Sequence, residues 1–154
     1  MDLELVEQGD GGELVKTTND LSVIFGFENM VYLALFGGNV EASTPVQRIV
    51  TEQAFDWWAN NLLMQGDSSI QFNSETERAL NTIPLTSSGR VLIQQAVEND
   101  LTFMKEFAVV NVGVSIVQTD KVQISVSLTN PENLQKQDFI FIWDATNREL
   151  IERE

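Results

Sequence analysis

Between Thr86 and Thr129 the hydrophobic positions change period. Leu92, Ile93, Ala96, Val97, Leu101 and Met104 recur at steps of three and four, opposite Gln94, Gln95, Glu98 and Asn99, which is the stripe of one long amphipathic helix. Pro84 disfavours helix through Ile83, and Thr86, Ser87 and Ser88 offer hydroxyls to the first free amides, so the helix should begin near Ser87. Beyond it the period becomes two. Val110, Val112, Val114 and Ile116 alternate with Asn111, Gly113 and Ser115, and Val122, Ile124, Val126 and Leu128 alternate with Gln123, Ser125 and Ser127. These are two half-buried strands of an antiparallel hairpin. Phe139 to Trp143 is apolar without a break, which predicts a third strand buried on both faces. The predicted fold class is α+β: an antiparallel sheet covered by one long helix plus shorter helices.

Upstream the signals are shorter. Leu3, Leu5 and Leu14 flank Gly9-Asp10-Gly11-Gly12, a turn signal that predicts a small, mobile N-terminal hairpin over residues 1–18. Asn19-Asp20 predicts a turn, Leu21 to Phe27 a short strand, and Glu28 to Phe36 a helix ended by Gly37-Gly38. Ser43-Thr44-Pro45 interrupts the pattern, so the stretch from Asn39 to Thr51 reads as a loop. Ser74, three residues before Glu77, predicts a capping box for a short helix through Leu80. Asn130-Pro131-Glu132-Asn133 is a loop. The acidic tail, residues 144–154, is compatible with a short strand, a helical turn or disorder. With 154 residues and no linker or repeat, the chain reads as a single domain.

Charge and chemistry narrow the function classes. Nine basic residues against 23 acidic give a formal charge of −14, which repels a phosphate backbone, and the cations form no patch, so nucleic acid is a poor partner. The chain has neither cysteine nor histidine, which removes thiolate nucleophiles, the usual zinc ligands and every histidine-based triad. No apolar run approaches the roughly 20 residues of a membrane helix, and the acidic start does not resemble a secretory signal. A protein that stays in the cytoplasm where it is made is expected, without membrane contact.

Glu75 with Glu77, and Glu98 with Asp100, are two residues apart and face different ways on a helix, so they read as solvated charge rather than an acid/base pair. Asp10, Glu13 and Asp20 lack the ligand spacing of a calcium loop. No catalytic residue, metal site or cofactor is expected. Phe55, Trp57 and Trp58 concentrate aromatic area beside Asn60-Asn61. Paired indoles can stack on a sugar or peptide, which keeps open a small acidic ligand-binding module; the plainer reading is that at least one ring anchors its loop on the core. Trp57, Trp58, Asp10 and Arg148 are the candidate interface residues.

The strings Asp10-Gly11-Gly12-Glu13-Leu14, Glu28-Asn29-Met30-Val31-Tyr32-Leu33-Ala34-Leu35-Phe36-Gly37 and Asp56-Trp57-Trp58-Ala59-Asn60, followed by a long helix and a hairpin, resemble the Mu-like phage baseplate wedge proteins. Those are similar to the short wedge protein of the T-even baseplate core bundle. The resemblance implies a non-enzymatic building block of a contractile tail, contacting the large wedge subunit, the hub and the sheath. It implies assembly in the bacterial host cytoplasm and a final place in the virion baseplate, with a monomer or weak dimer when isolated. The Glu-Pro-Arg string of some T-even-like members is absent, so no binding residue carries over.

Overall fold

The computed structural model describes residues 2–6, 13–24, 26–38, 73–132 and 134–153. These fall into two compact units, Met1–Ser74 and Glu75–Glu154.

In the first unit, two short ladders are nested. Strand β1 (Asp2–Leu3) pairs antiparallel with β4 (Val23–Ile24), and β2 (Leu5–Val6) pairs with β3 (Glu13–Leu14), Leu5 opposite Leu14. The predicted hairpin is therefore present, inside a second pairing that reaches on to Ile24. Of the strand expected over Leu21 to Phe27, the described residues show Val23–Ile24. At the predicted Asn19-Asp20 turn, Thr17 Oγ1 donates to the carbonyl of Asp20 at 2.8 Å and accepts from the Asp20 amide at 3.1 Å.

Helix α1 (Glu28–Phe36) has the predicted bounds. Its residues from Val31 to Phe36 are all buried, as expected of a helix that is apolar all round. Asn29, also buried, donates to the Leu3 carbonyl at 2.6 Å. The helix closes where Gly38 takes a φ of 96°, a left-handed conformation that glycine adopts without a Cβ penalty. The Gly38 carbonyl accepts from the Ser74 amide, and Ser74 Oγ donates to Ala34 O at 2.9 Å.

The second unit begins with α2 (Glu75–Thr82) and α3 (Ser87–Asp100), followed by a 3-10 helix (Thr102–Glu106). Thr86 caps α3 as expected, its hydroxyl accepting from Gly89 N at 3.0 Å. Ile93, Ala96, Val97, Leu101 and Met104 are buried, but Leu92 is 50% exposed. The stripe is narrower than six apolar residues suggest, and Leu92 lies a quarter-turn outside it. The helix also ends earlier: the Met104 amide bonds to Leu101 O, so the chain tightens into a 3-10 turn.

Four antiparallel strands follow in the order β5 (Val109–Gln118), β6 (Lys121–Thr129), β7 (Lys136–Asp144), β8 (Glu149–Arg153). The fold class is thus α+β. Register brings Val112, Val126 and Phe139 into one row and Val114, Ile124 and Phe141 into the next. On β6, Val122, Ile124, Val126 and Leu128 are all fully buried, as the alternation required.

On β5 only Val114 is buried, because β5 is an edge strand. On β7 the continuous apolar run is not buried on both faces: Phe139, Phe141 and Trp143 are buried, while Ile140 and Ile142 are half-buried. The charged tail forms β8, paired with β7 through Phe141↔Arg153 and Trp143↔Leu150.

Candidate functional site

Val110, Val112, Val114 and Ile116 of β5 and the apolar side chains of β6 point one way, which leaves Asn111, Gly113, Ser115, Gln123, Ser125 and Ser127, with Ile140 and Ile142 of β7, on the other face. There, Asn111, Gly113, Ser125, Ser127, Asp138 and Ile140 line a shallow depression of about 470 Å³. Its floor is low because Gly113 and the serines are small: no atom lies within 4 Å of where a Gly113 Cβ would stand. At its rim Lys136 Nζ bonds Asp138 at 2.8 Å, and this hydrogen bond holds the exposed Asp138 carboxyl below its ordinary range. The depression is open and its lining is mainly apolar, with Val112, Val126, Phe139 and Ile140 contributing beside Asn111 and the two serines, and Asp138 is its one charged side chain.

The second polar cluster sits where α3 ends. Asp100 Oδ1 accepts from Glu75 N at 3.0 Å and Oδ2 from Thr76 N at 2.8 Å, so the carboxylate caps the first turn of α2. Asn99 Nδ2 adds a bond to Glu75 Oε2 at 3.0 Å. The capping box expected from Ser74 and Glu77 is replaced by this arrangement, since Ser74 Oγ is turned to Ala34 O. Burial pushes the Asp100 carboxyl up to about 6 against the opposing pull of the Thr76 and Glu75 hydrogen bonds. Asp100 is therefore not the solvated charge expected from spacing. A carboxyl titrating there has the acidity of a general acid, but both oxygens are committed to backbone amides, so its task is to hold α2.

Arg148 lies in the β7–β8 turn, exposed and with a φ of 58°. The turn is organised by Asp144, whose Oδ1 accepts from Thr146 N at 2.8 Å and Asn147 N at 3.0 Å. The bond from the Asn147 amide, with smaller help from Thr146, lowers the Asp144 pKa despite burial. Trp57, Trp58 and Asp10 lie outside the described residues, so Arg148 is the one candidate interface residue given a place. Gly113 and Arg90, whose Nη1 donates to the Val114 carbonyl at 3.1 Å, carry no role in the sequence reading, and Asp100 carries only that of a solvated charge. A signal for Asp100 existed: an anion at a helix C-terminus opposes the dipole and implies a partner elsewhere.

Among the described residues no group of three or more acidic, histidine or cysteine side chains is placed to hold a metal ion. No helix among them is long and apolar enough to cross a membrane. No protein-family model, curated protein or solved structure matches the chain.

Proposed function

We propose that this chain is a non-catalytic structural subunit of a contractile tail baseplate, in a phage or a related injection system, linking the large wedge subunit, the hub and the sheath. The observation that supports this reading is the surface of the 75–154 unit: a sheet with a shallow open face of mixed small polar and apolar residues and two extended edges, β5 and β8. Such a surface suits several modest contacts multiplied by ring symmetry, as a baseplate component needs. On the same reading α3 lies across the apolar face of the sheet. Its buried Ile93, Ala96 and Val97 and the Arg90 bond to β5 support that placement. The protein is made in the host cytoplasm, ends in the virion baseplate, and is a monomer or weak dimer alone.

Co-expression with the large wedge subunit encoded beside it tests the reading. A complex that survives purification, and that Trp57→Ala with Trp58→Ala or Arg148→Ala weakens without altering the melt of the isolated chain, is the expected result. Failure of the unmodified pair to associate would overturn the baseplate assignment. Deletion after Trp143 is not a clean interface test, because it removes β8 from its ladder with β7.

A further inference from the structure

We propose that β5 is a self-association edge, along which two copies of this chain pair antiparallel about a two-fold axis at Gly113. The segment Val109–Val117 is chemically self-complementary when reversed. Val109 meets Val117, Val110 meets Ile116, Asn111 meets Ser115, Val112 meets Val114, and Gly113 meets itself. Apolar thus faces apolar and polar faces polar at every step, which is what an isologous contact requires.

Three features of the strand favour a second copy as its partner. Val109 and Val117, at the two ends of the segment, are 55% and 45% exposed, so pairing removes apolar surface at both ends. In a chain of formal charge −14, β5 has no charged residue, so the contact sets no carboxylate against its own copy. It also lacks the lysines, prolines and inward charges that usually blunt an edge. Gly113, finally, leaves open space at the axis, and its backbone does not demand glycine, since its φ is not among the positive ones.

The association is weak. A paired edge about 30 Å long buries well under the roughly 800 Å² per partner of a stable interface. The irregularity between Ile116 and Gln118 shortens the regular part to Val110–Ile116, and Arg90 competes for the Val114 carbonyl beside the axis. The inference stands apart from the baseplate reading, since it needs only β5 and a second copy.

The chain has no cysteine, so a single introduced thiol reports the contact in the full-length protein. In an antiparallel pair the Gly113 Cα atoms of the two copies approach to about 5 Å, within disulfide reach. Gly113→Cys should oxidise to a covalent dimer at least about tenfold faster than Ser125→Cys, its neighbour one strand inward on the same face. A mixture of Asn111→Cys and Ser115→Cys should give the mixed dimer in preference to either homodimer. Lysine at both Val109 and Val117, positions exposed enough to spare the fold, should abolish the advantage of Gly113→Cys. Equal rates for Gly113→Cys and Ser125→Cys, a preference for the Asn111→Cys homodimer, or indifference to the two lysines would each overturn the proposal.

Discussion

Asp100→Asn separates the electrostatic cost of the α2 cap from its hydrogen bonds. In the folded chain the Asp100 carboxyl titrates near 6, against an ordinary value of 3.8, so between these values the folded state binds a proton that the unfolded state has released. Stability from this group is fully present below pH 3.8 and is lost as the pH rises through about 6. The whole interval corresponds to about 3 kcal/mol, at roughly 1.4 kcal/mol per pH decade.

Between about pH 5 and pH 7.5 the loss is about 1.4 kcal/mol, and partial exposure of the side chain reduces it to about 1 kcal/mol. The asparagine retains a carbonyl for one amide but sets its own N–H groups against the other, a pH-independent penalty of about 1–2 kcal/mol. Urea unfolding followed by tryptophan fluorescence, for parent and variant at both pH values, isolates the titrating part, because the general repulsion of an acidic chain is common to both. The parent's advantage over Asp100→Asn should shrink by about 1 kcal/mol from pH 5 to pH 7.5. A difference that stays constant, or grows with pH, would refute the buried-carboxyl account.

Val126→Asp places a charge between Val112 and Phe139 in the row it shares with them; with no partner there it should leave no cooperative melt, and a melt like the parent's would sink the register. Ile93→Ala empties a fully buried site on α3 and should cost about 2–5 kcal/mol by chemical denaturation. Thr86→Ala removes the hydroxyl that accepts the Gly89 amide and should cost about 1 kcal/mol, with Thr86→Ser restoring most of it. Gly89→Ala should lower the melting temperature, although alanine is the better helix former, because a Cβ there runs into the Pro84 carbonyl.

Where one face of an element is shut and the other open, the amino-acid pattern and the structure coincide. β6 is the clear case: it is flanked on both sides, its apolar side chains alternate without exception, and each one is buried. α1 was equally legible, because a polar start and a double glycine bracket a run that has to be helical to bury all its sides. β7 departs from its pattern at one point. An unbroken apolar run does imply a strand, but isoleucine is tolerated at half-open positions, so Ile140 and Ile142 do not report a second covered face. Nor does a spacing of three between Leu101 and Met104 separate an α-helix from a 3-10 helix, since both put those residues on one side.

The Asp100 site and the depression on the sheet are less legible for a different reason: both depend on pairings between residues far apart in the chain. Glu98 and Asp100 look alike in sequence, two acids near the end of one helix. What distinguishes them is the start of α2, whose first amides need acceptors and find Asp100. Once that bond exists, the local rules give way. Asp100 stays at a helix end whose dipole disfavours it, and Ser74 is freed to bind Ala34. The self-complementary segment on β5 is the converse case, fully visible in sequence but without meaning until β5 is known to be an edge. Palindromic chemistry in a central strand only reflects its two neighbours; on an edge it specifies a partner of the same sequence.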